Sequence, residues 1–259
     1  MLKHAPIIVG GFYRSGTSLV RRLLDSHSNI HCPPEIKWFK DFYGDYMNDE
    51  LAHVRFFKTI RTLGLGEEEL LRIYGRAYVE ARELACAKLN KQRWADKNPE
   101  NVLYLNKWHQ ILNGNLIFIF VVRNPLDSLA SLNEVGFKKA VPAKFQEKAL
   151  ILKDYYRKAM AYSTEFGEDT IVVKYEELVS NPEQILRGLF SSLDEIFEPE
   201  VLHRFYTQER QFGIEDPKVK KSKEIYLSSI GRWESELTKQ QIDFCQNNLS
   251  EIFERFEYD

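Results

Sequence analysis

The stretch that most restricts the fold of this chain is an unbroken apolar run, Leu116 to Val122, near its middle. Consecutive aliphatic and aromatic residues without polar alternation indicate a short strand that is buried on both faces. Such strands occur almost only in parallel sheets that helices cover on both sides. A second apolar run, Ile7 to Val9, predicts another buried strand near the N-terminus. The sequence therefore predicts an α/β fold.

The length and the composition suit one large domain of this class. With 259 residues, 44% of them apolar, the chain can bury a substantial core. Residues 36–91 show apolar positions at helical spacing and predict a helical insertion within a single domain of residues 1–259. An amphipathic helix is predicted from Ile242 to Phe256, and Asn98 is predicted to cap a helix that begins at Pro99. The insertion opens with an aromatic cluster that is a candidate lining for an acceptor pocket, namely Trp38, Phe39, Phe42, Tyr43 and Tyr46.

A glycine-bearing and hydroxyl-bearing loop follows the first predicted strand and leads into a helix predicted from Thr17. The first turn of a helix carries unpaired N–H groups and a partial positive charge, so this arrangement favours an anion. Residues Gly11 to Ser18 match the Walker A pattern G-x4-G-K-[ST], except that Thr17 stands in place of the lysine. The cation of the loop is instead Arg14. We therefore expect a P-loop-like parallel sheet flanked by helices, with a phosphate-like ligand.

Two further strand ends carry cations. The strand predicted at 116–122 is followed by Arg123, where a Walker B strand would end in aspartate. Because a guanidinium binds phosphate in bidentate fashion, Arg123 and Ser131 are candidates for a second phosphate site. Lys97 ends the strand predicted at 93–97. Ligands of open α/β sheets bind at the carboxyl ends of strands, so Lys97 is a further candidate site residue.

Composition restricts the partners and the compartment. The net charge of -2 and the pI near 6.3 argue against nucleic acid as the main partner. Cys32, Cys86 and Cys245 are few and widely spaced, which favours a reduced compartment over a disulfide framework or a zinc site. No apolar run reaches the length of a membrane span, and we expect no signal peptide. These features predict a soluble, cytoplasmic protein.

Several motifs, in their order and spacing, resemble those of the sulfotransferases that depend on 3′-phosphoadenylyl sulfate (PAPS). The residues that carry this resemblance are Arg14-Ser15-Gly16-Thr17, Pro34-Glu35, Asp96-Lys97-Asn98-Pro99, Val122-Arg123-Asn124-Pro125 with Ser131, Lys174-Tyr175-Glu176-Glu177-Leu178, and the segment from Lys223 to Trp233. The chain is most similar to the branch that contains the tyrosylprotein sulfotransferases and bacterial carbohydrate and small-molecule sulfotransferases. The tyrosylprotein enzymes are membrane-anchored secretory proteins with disulfides, which makes peptidyl tyrosine an unexpected acceptor for this chain.

The resemblance implies a donor site. The loop that would hold the 5′-phosphosulfate of PAPS consists of Arg14, Ser15, Gly16, Thr17 and Ser18. Arg123 and Ser131 would bind the 3′-phosphate, the group that distinguishes this donor from ADP or ATP. Tyr175 and Lys223 would complete the nucleotide site. The implied product is 3′,5′-ADP.

The resemblance also implies the catalytic residues. Glu35 matches the general base, Lys97 matches a lysine that steadies the transferred sulfonate, and Arg14 acts beside it. Because a sulfuryl group carries less negative charge than a phosphoryl group, these fixed cations suit a transfer without a metal ion. The acceptor would be a hydroxyl group of a sugar, a phenol or a small metabolite. His31 is a rival base, since other sulfotransferase branches use histidine, although its position in a strand before two prolines favours a structural role.

Two other function classes stay open at this point. A P-loop nucleotide kinase would bind ATP with magnesium, and the missing lysine at Thr17 and the missing aspartate at Arg123 argue against it. A non-catalytic nucleotide-binding module would bind 3′,5′-ADP without transfer, and the presence of Glu35 and Lys97 argues against that. The basic run of residues 218–223 is either ordinary solvated surface or a flap over the nucleotide.

Overall fold

A five-stranded sheet forms the centre of the molecule in a computed structural model that describes residues 4–43, 59–135, 141–206 and 224–258. All paired strands are parallel, in the order β2-β3-β1-β4-β5. The strands are β1 (Ile7–Gly11), β2 (Ile30–His31), β3 (Arg93–Lys97), β4 (Ile117–Val122) and β5 (Thr170–Lys174). The predicted α/β class and parallel sheet are confirmed.

Alternate residues of the two central strands, β1 and β4, face two separate cores. In β1, Ile8 belongs to the core that also contains Phe118, whereas Ile7 and Val9 belong to the opposite core with Ile119. The parallel register places Ile8 beside Phe118 and Val9 beside Ile119. Because both faces of the sheet are covered, neither side of β4 needs polar residues, which explains its unbroken apolar sequence.

Helices cover both faces of the sheet. The helices whose bounds lie within the described residues are α1 (Thr17–Ser26), α2 (Trp38–Tyr43), α3 (Glu67–Lys88), α4 (Leu105–Leu112), α5 (Pro125–Val135), α6 (Phe145–Glu165), α7 (Tyr175–Ser180), α8 (Pro182–Ser192), α9 (Val201–Arg204), α10 (Trp233–Glu236), α11 (Lys239–Asn248) and α12 (Ser250–Phe256). Short 3-10 helices span Arg61–Leu63, Pro99–Leu103 and Gly167–Asp169. Helices α1, α7, α8 and α9 contribute to the core of Ile7, and most of the others contribute to the core of Ile8. No helix among the described residues is both long enough and apolar enough to traverse a bilayer.

Two local predictions from the sequence are wrong. The helix predicted from Ile242 to Phe256 is two helices, α11 and α12, which meet at Leu249. Asn98 precedes the 3-10 helix Pro99–Leu103, but its side chain makes no capping hydrogen bond. Residues 36–91 are helical over much of their described part, in α2 and α3.

The sheet has a switch point between β1 and β4. From β1 the chain passes through α1 to β2 on one side of the sheet, whereas from β4 it passes to β5 on the other side. Ligands of open parallel sheets bind outside the carboxyl ends of the strands at such a point. The topology therefore brings the loop after β1 close to the residues that follow β4.

Candidate active site

The loop between β1 and α1 has the shape of an anion cradle. Arg14 (φ 66°) and Gly16 (φ 97°) both adopt the left-handed backbone conformation, which is strained for arginine. Gly16 precedes α1, whose first turn has no side-chain cap and no acidic residue. A Cβ atom on Gly16 would lie 2.4 Å from the ring of Tyr175, so the loop fits closely under that ring only because residue 16 is glycine. The positive end of α1 therefore opens onto a narrow loop that carries no carboxylate.

Arg14, Ser131 and Arg123 meet at the switch point. The Nε atom of Arg14 donates a hydrogen bond of 3.0 Å to the hydroxyl of Ser131. One Nη atom of Arg123 donates to the backbone carbonyl of Arg14 at 2.8 Å. The structure thus places Ser131 in contact with Arg14, whereas the sequence paired it with Arg123. The two arginines belong to one site and do not face separate surfaces.

Among the described residues, the partners of the Arg123 side chain are neutral groups. Its second Nη atom donates to the carbonyl of Ser229, and its guanidinium carbon lies 4.7 Å from the ring centre of Tyr175. Only 4% of the residue is exposed, and its Nε atom is buried without a hydrogen-bond partner. Among the residues that the structure describes, no carboxylate forms an ion pair with Arg123. A buried guanidinium with only neutral neighbours matches an anionic ligand.

Asp127 fixes the segment that covers Arg123. Its buried carboxylate accepts hydrogen bonds from the backbone N–H groups of Gly231 at 2.9 Å and Trp233 at 3.2 Å. This segment includes Ser229, whose carbonyl contacts Arg123. Lys223, which the sequence assigned to the nucleotide site, lies outside the described residues, as does the rest of the 218–223 basic run.

The predicted base and the predicted sulfonate lysine are in contact. Lys97, at the end of β3, donates a hydrogen bond of 3.0 Å to the hydroxyl of Ser18 in the first turn of α1. The same ammonium forms an ion pair with Oε1 of Glu35. The exposed fractions of the two side chains are 1% for Lys97 and 10% for Glu35. Because β3 is paired directly with β1, Lys97 reaches both the loop and the carboxylate.

A second set of charges adjoins Glu35, and the sequence analysis did not identify it. Oε2 of Glu35 lies 2.6 Å from the ammonium of Lys37, which also lies 2.9 Å from Oε2 of Glu100. The other oxygen of Glu100 accepts a hydrogen bond from the hydroxyl of Tyr13 and lies 2.9 Å from the ammonium of Lys40. Glu100 is 63 residues from Lys37 and 87 from Tyr13 along the chain, so no local pattern joins them.

Burial and ion pairing compete to set the ionisation of these groups. Burial opposes ionisation of Glu35, but Lys97 and Lys37 outweigh it and hold the pKa of Glu35 below its ordinary value. Burial lowers the pKa of Lys97, and the attraction of Glu35 offsets only part of that effect. Burial likewise opposes ionisation of Glu100, yet Lys37 and Lys40 lower its pKa to about 2. Both carboxylates are therefore ionised at neutral pH, and Glu35 is able to accept a proton.

Asp96 connects the insertion with the end of β3. Its carboxylate accepts hydrogen bonds from the hydroxyl of Tyr78 in α3 at 2.7 Å, from Asn98 at 2.8 Å and from Asn101 at 3.0 Å. The amide of Asn98 also donates to the carbonyl of Ile36. The Nδ2 atom of Asn98 therefore joins Asp96 to the segment after Glu35, while its Oδ1 atom accepts no hydrogen bond from the described residues.

The aromatic residues of α2 are mostly packed against the rest of the protein. The ring of Phe39 stacks on Tyr104 with centroids 4.6 Å apart, and Trp38 stacks on Tyr78 at 5.3 Å. A small open crevice lies beside them, and Lys37 contributes to its lining along with Trp38, Phe39 and Tyr104. The crevice therefore adjoins the Glu35 group.

His31 and Tyr46 complete the candidates from the sequence. The Nδ1 atom of His31 lies 3.4 Å from Oδ1 of Asp25 in α1. The contacts of His31 therefore support the end of β2, in keeping with a structural role. Tyr46 lies outside the described residues.

Comparison with known proteins identifies relatives over most of the chain. The model of the sulfotransferase family matches residues 6–199. A protein-tyrosine sulfotransferase of Drosophila melanogaster is 24% identical over 247 residues, which cover 88% of this chain and 46% of that protein. The nodulation protein NoeE of Sinorhizobium fredii is 26% identical over 262 residues, covering 90% of this chain and 60% of NoeE. The chain thus spans about half of the Drosophila relative and less than two thirds of NoeE.

Two solved structures share the fold. The sulfotransferase domain from the curacin biosynthetic pathway has a TM-score of 0.65 at 19% identity, with 96% of this chain and 99% of that chain covered. The sulfotransferase domain from the Synechococcus PCC 7002 olefin synthase has a TM-score of 0.68 at 20% identity, with 99% and 96% covered. The model of the sulfotransferase family matches well over half of the residues of this chain, and the chain therefore belongs to the sulfotransferase family.

Proposed function

We propose that this protein transfers a sulfuryl group from PAPS to a hydroxyl group of an acceptor, with Glu35 as the general base. The observation that carries this proposal is the contact series from Ser18 through Lys97 to Glu35. The buried ammonium of Lys97 contacts both Ser18 in the anion cradle and the ionised carboxylate of Glu35. Membership in the sulfotransferase family supports the reaction class.

Two parts of the site suit the two anionic groups of the donor. The loop of residues 14–18 and the first turn of α1 suit the 5′-phosphosulfate, because backbone N–H groups and the helix dipole favour an anion there. The group of Arg14, Ser131 and Arg123 suits the 3′-phosphate. The partnerless Nε atom of Arg123 and the absence of an ion pair to it within the described residues support this fit. When bound, PAPS supplies an activated sulfuryl group on a phosphate leaving group.

The residues on the acceptor side provide for proton transfer. Glu35 accepts the proton of the acceptor hydroxyl. At the same time the oxygen of that hydroxyl forms a bond to sulfur, and the bond between sulfur and the 5′-phosphate oxygen breaks. The electron pair of that bond leaves with the phosphate of 3′,5′-ADP. Lys97 and Arg14 neutralise negative charge on the sulfonate during an in-line transfer. A general base of this kind contributes roughly 10²–10⁴-fold to the rate.

The acceptor class follows from the surroundings of Glu35. Part of the lining of the crevice beside Lys37 is aromatic and comes from Trp38, Phe39 and Tyr104, which suits apolar contact with a sugar or a phenol. We propose a hydroxyl of a sugar, a phenol or a small metabolite as the acceptor. The relatives named protein-tyrosine sulfotransferases make a phenol hydroxyl the first to test. The three cysteines are free and buried, which supports a reducing compartment such as the cytoplasm.

The first test separates this function from that of a kinase. We expect 3′,5′-ADP to raise the melting temperature of the protein more than ATP with magnesium does, because ATP lacks the 3′-phosphate that Arg123 would bind. A greater shift with ATP and magnesium would favour the kinase instead. With ³⁵S-labelled PAPS, a panel of phenols and sugars should yield a labelled product.

The second test concerns Glu35. We expect Glu35→Ala to lower turnover roughly 10²–10⁴-fold without changing the affinity for 3′,5′-ADP, since Glu35 contacts the acceptor and not the nucleotide. Glu251→Ala is the matched control, because Glu251 also forms an ion pair, with Arg157, but lies in α12. Full turnover in Glu35→Ala would disprove its role as the base.

A further inference from the structure

Two lysines hold Glu35, and they differ in their other contacts. Lys97 binds Oε1 of Glu35 and also binds Ser18 in the anion cradle, so it lies between the donor site and the base. Lys37 binds Oε2 of Glu35 and also binds Glu100. Lys97 thus contacts both Glu35 and the donor site, whereas Lys37 contacts both Glu35 and Glu100.

Glu100 is held on both of its oxygens. Oε2 accepts from Lys37, and Oε1 receives the hydroxyl of Tyr13 and the ammonium of Lys40. The side chain of Glu100 is 4% exposed and belongs to the 3-10 helix Pro99–Leu103. Tyr13 comes from the loop after β1, and Lys40 comes from α2. Glu100 is therefore a fixed anchor to which three separate elements contribute.

The charged and titratable groups around Glu35 come from every element packed there. They are Lys97 from β3, Lys37 from the segment after β2, Lys40 from α2, Glu100 from the 3-10 helix, Tyr13 from the loop after β1 and, acting on Lys97, Arg21 from α1. The ammonium groups of three lysines thus form ion pairs with two carboxylates, those of Glu35 and Glu100. Removal of any one charge changes the field at Glu35 in a direction that can be predicted.

We infer that Lys37 and Glu100 are positioning residues for the base: Glu100 holds the Lys37 ammonium on Oε2 of Glu35 while Lys97 turns from Oε1 toward the transferred sulfonate. This inference depends on the proposed function, in which Glu35 takes the acceptor proton. Oε1 becomes free to accept that proton, and the bond to Lys37 preserves the orientation of the carboxylate. Orientation matters because a displacement of about 1 Å costs on the order of 10²-fold in rate.

The direct test is the titration of Glu35 in the whole protein. The ¹³C carboxyl signal of Glu35 is assigned by its absence in Glu35→Gln, and its pKa is then followed in two variants. Lys37→Met removes a cation and should raise the pKa of Glu35. Glu100→Gln removes an anion and leaves Lys37 to Glu35 alone, so the pKa should fall. An unchanged pKa in both variants would overturn the inference.

Kinetics supply the second readout. We expect kcat to fall by up to about 100-fold in Lys37→Met and in Glu100→Gln. KM for PAPS should stay nearly unchanged, because the ion pairs of Lys37 among the described residues are with Glu35 and Glu100, and a glutamine at position 100 can still accept the hydrogen bond from Tyr13 in the loop after β1. Lys37→Arg retains the charge and should restore most of kcat. Lys158→Met is the matched control, because Lys158 forms an ion pair with Asp154 on the exposed side of α6. Wild-type kcat in Glu100→Gln would overturn the positioning role.

The two tests distinguish failure of the inference from failure of the proposed function. If the wild-type protein transferred no label from PAPS to any acceptor, the proposed function would fail. The titration would still show whether Lys37 and Glu100 act on the Glu35 carboxylate. If wild-type transfer required Glu35 but both variants kept normal kcat and normal Glu35 titration, only the inference would fail.

Discussion

At the scale of single residues, the burial of the Arg123 guanidinium favours the binding of an anionic ligand. A guanidinium that leaves water normally acquires a carboxylate partner, because an uncompensated buried charge is costly. The partners of Arg123 are instead the carbonyls of Arg14 and Ser229 and the ring of Tyr175. Within the part of the chain that the structure describes, the site thus holds a buried positive charge whose partners are neutral, which favours an anionic ligand.

Substitution of Arg123 tests this directly. We expect Arg123→Lys to weaken binding of 3′,5′-ADP by about 10–100-fold, since an ammonium cannot form the bidentate contact and a hydrogen bond to a charged group contributes about 1.5–3 kcal/mol. Binding of 5′-AMP, which lacks the 3′-phosphate, should change little. Isothermal titration calorimetry measures both affinities, and an equal loss for the two nucleotides would contradict the assignment.

The residues of the site differ in how far the sequence could predict them. Arg123 directly follows an apolar strand, and Lys97 ends the strand predicted at 93–97. Their place at the carboxyl ends of the strands therefore follows from the parallel topology. Glu35 follows no long strand, and only the family resemblance marked it as a base. Glu100 could not be predicted, because its role depends on contacts with Lys37 and Tyr13 that are remote in the chain.

At the scale of secondary-structure elements, hydrogen bonds from α3 join the insertion to the end of β3. The hydroxyl of Tyr78 on α3 donates to Asp96, the residue that precedes Lys97 in β3. Arg82, one turn further along α3, donates to the carbonyl of Ala95. Helix α3 therefore supports the strand end from which Lys97 extends.

Tyr78→Phe should reduce stability. Loss of the hydroxyl removes one of three donors to a buried carboxylate, which we expect to lower the free energy of unfolding by about 1–3 kcal/mol in urea titrations. Tyr162→Phe is a matched control, because the buried Tyr162 hydroxyl makes no hydrogen bond to any residue that the structure describes and its removal should cost little. Equal losses in the two variants would show that the bond to Asp96 is unimportant.

The C-terminal helices show what periodicity cannot detect. The apolar residues that predicted a single helix continue in phase through the break at Leu249, which is itself fully buried. Its backbone (φ -116°, ψ 14°) departs from helical geometry and joins α11 to α12. Because the apolar face is preserved across this junction, hydrophobic spacing alone indicates one helix.

At the scale of the whole molecule, the parallel sheet places Arg14, Lys97 and Arg123 at the carboxyl ends of its strands. The class of fold was predictable because the strand of Leu116 to Val122 requires cover on both faces. The order β2-β3-β1-β4-β5 was not, since strand order depends on connections that no single segment specifies. That order creates the switch point, which brings Arg14 and Arg123 together.

The stability of the molecule should depend on acidity through Glu100. Its pKa is about 2 in the folded protein, below the ordinary value of 4.5. The ionised carboxylate therefore stabilises the fold fully above the ordinary value, and this contribution is lost as the pH falls from about 4.5 toward about 2. In urea unfolding, the difference in unfolding free energy between wild type and Glu100→Gln should be constant near neutral pH and shrink across that window. A difference that grows with acidity would contradict this assignment.

The bond from Tyr78 to Asp96 has a consequence for protein engineering. A chimera that exchanges α3 for the corresponding segment of a relative would also exchange the donor that supports the strand bearing Lys97. Grafts that retain a phenol at the position of Tyr78 should keep the host's turnover whatever acceptor they recruit, and grafts without it should fold less stably. The contact that supports the end of β3 thus travels with α3, and a designer must transplant the helix and this phenol together.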